Sequence, residues 1–176
     1  MSDLAPIETT SLSPAEDTAL AWSRPRELLA APSPPDSPGG YFPSYLVTVR
    51  PDGRPHATGV GVRWYDGDIY FLSGPATRKA RNLVDNPACT IAMRLPDGLD
   101  LVLEGEAAPI DDPVVLDAVG ALIRQSGWPV ELTAGGFTAP FGPWGGEQPP
   151  WQLYRFIFHT AIGQGDDGAA RWRFAR

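Results

Sequence analysis

Short stretches of alternating apolar and polar residues dominate the chain, and turn residues separate them. This pattern predicts strands at residues 45–50, 55–65, 69–72, 88–95, 99–108, 151–159 and 171–174. Asp-Gly pairs at positions 52–53, 66–67 and 97–98 predict tight turns between neighbouring strands. We therefore predict that a sheet joined largely by hairpins forms most of the protein.

Three segments have helical signals instead. A capping-box sequence at residues 13–16 predicts a helix that continues to Ala30, with a bend at Pro25. A short second helix is predicted over residues 77–85, and a third begins after Asp112. The chain has no repeated strand–helix–strand pattern, so a doubly wound parallel sheet is not expected. The fold class that we predict is mainly β, a barrel with peripheral helices.

The organisation predicted along the chain is one domain preceded by a tail. Residues 1–12 have no pattern and should form a flexible tail, and residues 13–176 should form the domain. Residues 133–150 are rich in Gly and Pro and carry three aromatic side chains, Phe137, Phe141 and Trp144. A long loop of this kind is expected to be a lid over a ligand, a dimer contact or simple surface packing.

Composition and charge exclude several partners. The net charge is -7, so neither a nucleic-acid backbone nor an anionic membrane is expected to be the main partner. No apolar run approaches the ~20 residues that a membrane-spanning helix needs. We find no signal-peptide pattern, and a soluble cytoplasmic protein is expected. The only cysteine, Cys89, lies in an apolar stretch and should be a buried, unreactive thiol.

The start of the predicted second helix carries an unusual concentration of positive charge. Arg78, Lys79 and Arg81 follow the capping residue Thr77, and Lys79 is the only lysine in the chain. Cations are disfavoured at a helix N-terminus unless an anion lies beside them. A bound phosphate would make the arrangement favourable, whereas a solvated basic helix face is the simpler alternative. We predicted that Ala80, Leu83 and Val84 face inward and leave the three cations exposed.

Two glycines in the predicted second strand indicate a second ligand-binding feature. Gly59 and Gly61 share one face of the strand, whereas Val60, Val62 and Trp64 share the other. The missing side chains would leave a slot for a flat ring, or they would permit a bulge or a tight bend.

Other residues give weaker signals. In the final strand Trp172 and Phe174 should point inward, while Arg171 and Arg173 point outward as part of a salt-bridged edge or an anion contact. The two histidines have no ligand spacing with other candidate ligands, so no metal site is predicted. No catalytic residue is assigned.

The order of these motifs resembles the pyridoxamine 5'-phosphate oxidase-like split-barrel superfamily. Within it, the chain is most similar to the actinobacterial flavin and deazaflavin oxidoreductases that use coenzyme F-420. The resemblance extends over residues 45–174. It rests on segments 49–56, 74–83, 101–105, 127–130 and 171–174.

The resemblance implies an FMN-binding type of split β-barrel, a homodimer with two cofactor sites at the subunit interface. It places Arg78 and Lys79 on the cofactor phosphate, with Arg81 and Asn82 near enough to assist. It also implies that the ring lies beside the second strand, and that C-terminal residues approach from the partner subunit. The residues concerned are Thr58, Gly59, Val60, Gly61 and Val62 in the strand, and Trp172 and Arg173 at the C-terminus.

The function that follows from the resemblance is hydride transfer from reduced F-420 to an unsaturated small organic substrate. The alternatives are an FMN-dependent oxidoreductase and a non-catalytic protein that binds a flavin or another planar ligand. The Arg-His segment with which true pyridoxamine phosphate oxidases hold the substrate phosphate is not found near the C-terminus. Oxidation of vitamin B6 is therefore not expected.

Overall fold

Eleven strands and three helices are present in the residues that the computed structural model describes, namely 4–13, 19–31, 44–142 and 148–176. The strands are β1 (Glu8–Ser11), β2 (Ser44–Val49), β3 (Pro55–Gly59), β4 (Val62–Tyr65), β5 (Asp68–Ser73), β6 (Ala88–Arg94), β7 (Asp100–Ile110), β8 (Glu131–Thr133), β9 (Gly136–Thr138), β10 (Gln152–Gly165) and β11 (Gly168–Arg173). The helices are α1 (Ser23–Ala30), α2 (Arg78–Asp85) and α3 (Pro113–Gln125). The mainly β architecture with peripheral helices is thus confirmed.

The large sheet is antiparallel throughout its described pairings, and β10 is its central strand. Seven strands follow one another in the order β1-β11-β10-β7-β6-β2-β3, and β5 also pairs with β10 and carries β4 at its other edge. The first part of β10 pairs with β5 over residues 152–156, and its last part pairs with β11 over residues 160–165. The exchange of neighbours along one long strand lets the sheet curl around a core.

A bulge marks the point at which β10 changes neighbours. The register between β7 and β10 shifts between Phe158 and Thr160, and Gly105 lies opposite Phe158. A Cβ at Gly105 would overlap the carbonyl oxygen of Ile157. The close approach of the two backbones requires glycine here, because any other residue would push the strands apart.

Two apolar clusters fill the interior. The larger one lies within the sheet and under α1 and α2, and its fully buried side chains include Leu46, Ile91, Leu103, Phe156, Phe158 and Trp172. The smaller one joins α3 to the β8–β9 hairpin and one face of β10, through Val119, Ile123, Phe137, Trp151 and Leu153. The two clusters fix α2 and α3 on different sides of the sheet.

The N-terminal part differs from the prediction. Residues Glu8–Ser11, which we expected in a flexible tail, pair as β1 with β11. Among the described residues α1 begins at Ser23 and residues 19–22 are not helical, so the helix predicted up to Ala30 is shorter than expected; most of the capping-box sequence lies outside the described residues. Pro25 lies in the first turn of α1, where the missing N–H costs no hydrogen bond, so it does not bend the helix.

The single strand predicted over residues 55–65 is also wrong. The chain leaves the sheet after Gly59 and returns at Val62, so that β3 pairs with β2 whereas β4 pairs with β5. This break is the bend that is the alternative to a flat slot in the sequence analysis. Both Val62 and Arg63 are buried after the break, so the simple alternation does not hold.

The Gly- and Pro-rich segment contains a hairpin. Strand β9 lies within it and pairs with β8, and Phe137 is fully buried in the smaller core cluster. Phe137 is therefore a packing residue rather than part of a lid. Phe141 is 57% exposed, and Trp144 lies outside the described residues.

Candidate functional site

The loop from β5 into α2 is held by short polar contacts. The hydroxyl oxygens of Ser73 and Thr77 lie 2.9 Å apart, and the backbone N–H of Thr77 donates to the carbonyl of Gly74. The side chain of Thr77 accepts a hydrogen bond from the backbone N–H of Ala80 at 3.2 Å, as predicted for the N-cap. The first helical residues, Arg78 and Lys79, are thereby fixed at the end of a strand.

The buried face of α2 differs in part from the predicted one. Ala80 and Leu83 are buried as expected, but Val84 is 82% exposed and Lys79 is only 5% exposed. The inward face is centred between Lys79 and Leu83, which are four residues apart, and Asn82 lies at its edge. The expectation that Lys79 is solvent-exposed is wrong, because this residue belongs to the buried face of the helix.

Asn82 ties the helix to the β2–β3 hairpin. Its side-chain amide donates to the hydroxyl oxygen of Thr48 at 2.9 Å, and Thr48 is fully buried in β2. Thr48 in turn lies opposite His56 of β3 and donates to its carbonyl oxygen at 3.4 Å. A series of hydrogen bonds thus links α2 to β2 and β2 to β3.

Several cationic groups converge on His56. The pKa of His56 is lowered, first because the imidazole is partly buried and then because Arg50, Arg78 and Lys79 lie close to it. Arg50 belongs to the hairpin turn after β2, whereas Arg78 and Lys79 belong to α2. The two elements therefore bring their positive charges to one place.

Within the part of the chain that is described, Arg50, Arg78 and Arg81 form no ion pair with a carboxylate. Asp52 is near enough to Arg50 for a lowered pKa, but the larger cause of that lowering is its hydrogen bond to Arg54. A cluster of cations without an opposite charge is a favourable place for an anion.

Unpartnered polar atoms concentrate in the same place. Among the described residues, five buried side-chain atoms have no hydrogen-bond partner, and three of them are Arg50 Nε, His56 Nδ1 and Asn82 Oδ1. Buried polar atoms in folded proteins nearly always have a partner. Two unused donors and one unused acceptor beside a cationic cluster are what a phosphate with attached hydroxyl groups would satisfy.

The predicted ring wall lies next to this cluster but is only partly available. Thr58 is half-buried opposite Leu46, and a Cβ at Gly59 would have no atom within 4 Å, so open space adjoins the end of β3. Val60 and Gly61 form the break between β3 and β4. The side chain of Val62 is buried in the core and faces away from that space.

The C-terminal candidates lie elsewhere in the chain. Trp172 is fully buried in the larger core, 5.4 Å from the ring of Trp22, and no part of its side chain is accessible to a cofactor. Arg173 is exposed and forms an ion pair with Glu8 at 3.8 Å. Their strand, β11, is separated from β3 by β10, β7, β6 and β2 in the order of the sheet.

Sequence reasoning missed Arg50 and His56. The signal was available, because both residues flank a predicted two-residue turn and a short hairpin places its ends side by side. Their proximity to α2 was not predictable without the contact between Asn82 and Thr48.

Cys89 and the remaining candidates do not extend the site. Burial raises the pKa of the Cys89 thiol to about 12, so the predicted unreactive thiol is confirmed. Among the described residues, no group of three or more His, Cys, Asp or Glu side chains is arranged to hold a metal ion. No described helix is both long and apolar enough to cross a membrane.

Comparisons with known proteins bear on the family and the fold. The sequence profile described as "Pyridoxamine 5'-phosphate oxidase" matches residues 43–140, which include β2, β3 and α2. No curated protein matches the sequence.

Solved structures share the fold at low sequence identity. A conserved hypothetical protein from Mycobacterium tuberculosis has a TM-score of 0.58 at 17% identity, over 86% of this chain and 88% of that one. A structure named F420 reductase has a TM-score of 0.53 at 19% identity, over 77% and 94% of the two chains. A pyridoxamine 5'-phosphate oxidase-related, FMN binding protein from Nostoc punctiforme has a TM-score of 0.50 at 19% identity, over 76% and 80%. The predicted split-barrel fold is thereby confirmed.

Proposed function

Because the chain belongs to the pyridoxamine 5'-phosphate oxidase family, we propose that it binds coenzyme F-420 and reduces an unsaturated small organic substrate by hydride transfer. The observation that carries the proposal is the convergence of Arg50, Arg78 and Lys79 on His56, where neither Arg50 nor Arg78 has an ion pair among the described residues. A phosphate-bearing flavin or deazaflavin supplies the missing negative charge.

The residues present fit the phosphate end of such a cofactor. Arg78 is exposed and can approach phosphoryl oxygens from solvent, while the buried Lys79 lies at the base of the cluster. Arg81 is also exposed on α2 and adds to the local positive potential. Asn82 leaves its Oδ1 for a hydroxyl group on the cofactor's side chain. Charge-assisted hydrogen bonds of this kind are the strong ones in protein–ligand sites.

The chain's own residues act by binding and orientation rather than by covalent chemistry. When bound, a reduced deazaflavin supplies the hydride, and a proton from solvent completes reduction of the acceptor's double bond. Arg78 and Lys79 anchor the phosphate. The length of the cofactor between its phosphate and its ring then determines where the ring lies on the protein. The open space at Gly59, with Thr58 and the backbone at Val60 and Gly61 beside it, is where a flat ring can approach the protein.

A homodimer is part of the proposal. An outward-facing row of apolar residues crosses five strands in register, formed by Gly59, Tyr45, Ala92, Val102 and Ile162. Tyr45 in this row is 58% exposed.

A second copy that covered the row would enclose the ring space at Gly59. It could also bring the exposed Arg173 of the partner subunit towards the site, whereas the buried Trp172 would contribute only through packing. Sedimentation velocity tests this, and a monomer at micromolar concentration would contradict it.

FMN is the alternative cofactor, and a cytoplasmic location goes with either one. The alternative is favoured by the structural neighbour from Nostoc punctiforme named as an FMN binding protein, whose 19% identity equals that of the neighbour named F420 reductase. FMN offers the same phosphate to Arg78 and Lys79, so the cationic cluster fits both cofactors.

Titration of the cofactor-free protein with F-420 and FMN, followed by fluorescence, tests the choice. We expect micromolar or tighter binding of F-420 and weaker binding of FMN, and tight yellow FMN in the purified protein would reverse the assignment. Turnover of reduced F-420 with a panel of enones and quinones then tests catalysis. Binding without hydride transfer to any acceptor would favour a carrier, and the absence of binding by either cofactor would refute the proposal.

A further inference from the structure

The β2–β3 hairpin presents two unused hydrogen-bond donors beside the start of α2. The Nε of Arg50 and the Nδ1 of His56 are both buried and have no partner among the described residues. Neither atom is needed to hold the hairpin, whose backbone is closed by other bonds. Buried donors without a hydrogen-bond partner destabilise the folded protein unless a bound ligand accepts hydrogen bonds from them.

The hairpin holds both side chains in fixed positions. The backbone N–H of Arg50 donates to the carbonyl of Arg54 at 2.9 Å, and the N–H of Gly53 donates back to Arg50 at 2.8 Å. Gly53 has a φ of +80°, which suits glycine in a tight turn. His56 is fixed by its pairing with Thr48, which is itself bonded to Asn82 of α2. The geometry of the donors therefore does not depend on a mobile loop.

We propose that His56 Nδ1 and Arg50 Nε donate hydrogen bonds to the phosphoryl oxygens of the cofactor, so that the hairpin forms a second wall of the phosphate site opposite Arg78 and Lys79. This inference rests on the proposed cofactor function and assigns residues to the same site. Asn82, which is 1% exposed and joins α2 to the hairpin through Thr48, has its own unpartnered Oδ1.

The arrangement couples cofactor binding to the uptake of a proton by His56. Without an anion, burial and the charges of Arg50, Arg78 and Lys79 lower the pKa of His56 and keep the imidazole neutral at pH 7. Asp52 and Arg54 at the tip of the hairpin neutralise each other through an ion pair of 2.6 Å. A phosphate at this position favours the imidazolium, so binding raises the pKa of His56 and takes up a proton. Cofactor affinity should therefore rise as the pH falls.

Nuclear magnetic resonance of the unmodified protein tests the coupling directly. The chain has two histidines, His56 and His159, and His159 is exposed on β10. We expect addition of F-420, or of FMN if that is the cofactor bound, to raise the pKa of His56 and leave that of His159 unchanged. An unchanged pKa of His56 in the saturated protein would overturn the inference.

Variants test the contribution to affinity. His56→Asn retains an N–H near the position of Nδ1 but cannot carry charge, and His159→Asn is the matched control. Arg50→Gln removes the charge on the other side of the site. We expect Arg50→Gln to weaken cofactor binding about 10-fold, since a hydrogen bond from a charged donor is lost. Thermal unfolding of each variant shows that it remains folded.

The pH dependence distinguishes a role in binding from a role in folding. The ratio of wild-type to His56→Asn affinity cancels the ionisation of the cofactor itself. It should rise as the pH falls from 8 to 5.5, and for a pKa change of one unit it approaches about 10-fold at a pH below the pKa of His56 in both the free and the bound protein. A flat ratio would overturn the inference. If Arg78→Ala weakens binding while the His56 and Arg50 variants do not, the proposed function stands and this inference fails. If the wild-type protein binds neither cofactor, both fail.

Discussion

Two clusters of charged side chains in this molecule differ in how their charge is compensated. In the first, the carboxylate of Asp68 is 1% exposed in β5 and accepts a hydrogen bond from Arg155 Nε at 2.6 Å. Arg176 bonds to the other oxygen of Asp68 and donates to the carbonyl of Gly67 at 2.9 Å. The guanidinium of Arg176 also lies 5.3 Å above the ring of Phe158. Every buried charge here has a partner.

In the second cluster, positive groups meet around a histidine. Arg50, Arg78 and Lys79 surround His56, and unpartnered atoms of Arg50, His56 and Asn82 lie in the same region. The described residues provide no ion pair to Arg50 or Arg78. The folded chain alone does not complete this cluster.

We infer that the difference separates a structural site from the proposed binding site. A buried ion that is fully paired contributes to the fold, and removal of one partner is strongly destabilising. A buried group whose partner is missing costs stability in the isolated protein and is retained when a ligand needs it. Mutations at the two clusters should therefore have opposite consequences: those at Asp68 should affect stability, and those beside α2 should affect binding.

The largest effect is expected from removal of both cations at the start of α2. Arg78→Ala with Lys79→Met should weaken cofactor binding by about 4 kcal/mol, since each charge-assisted contact with phosphate contributes about 2 kcal/mol. Methionine is chosen because Lys79 is buried, and an unbranched apolar side chain of similar length can fill the same space. Isothermal titration with F-420 or FMN measures the change.

The same double variant should unfold with nearly the same free energy as the wild-type protein. Loss of repulsion between the cations offsets the lost contacts, and thermal unfolding monitors the result. Unaltered affinity would remove the phosphate site from α2. A large loss of stability with intact affinity would make the cluster structural, like the one at Asp68.

The second largest effect is expected at Asp68. Asp68→Asn leaves Arg155 and Arg176 without their carboxylate and should lower the free energy of unfolding by about 3 kcal/mol, with cofactor affinity unchanged in the folded protein. The matched control is Asp100→Asn, because the pair between Asp100 and Arg94 is exposed at 57% and 60% of the two side chains. The control should cost less than about 1 kcal/mol. Equal losses in the two variants would show that burial does not matter here.

Local patterns in the sequence predicted most of the fold. Strand periods, Asp-Gly turns and caps such as Thr77 and Asp112 depend on neighbours within a few residues, and the structure confirms them. The pairing of β1 with β11 was not predictable in this way, because the polar segment Glu8–Ser11 has no alternation and is a strand only through its partner.

Of the two sides of the candidate site, the sequence predicted only the one that α2 provides. The charges of Arg78 and Lys79 stand out because they occupy a helix start where cations are disfavoured. Arg50 and His56 carry no such local conflict, and their position follows from the contact between Asn82 and Thr48, 34 residues apart. The burial of Lys79 was likewise missed, since helical periodicity alone did not decide which neighbour of Ala80 faces the sheet.

The smallest expected effect is the pH dependence of the free energy of unfolding that His56 confers on the second cluster. The pKa of His56 is lowered in the folded protein, so the unfolded chain binds a proton more readily than the folded chain. The cofactor-free protein should therefore lose stability as the pH falls below the ordinary histidine value of about 6.5. Unfolding of wild-type and His56→Asn proteins between pH 8 and pH 5 isolates this contribution, because the other titrating groups are common to both. Saturation with the phosphate-bearing cofactor should reverse the sign, since the imidazolium is then favoured in the folded state. A difference between the two proteins that stays constant with pH would show that His56 does not sense the cationic cluster.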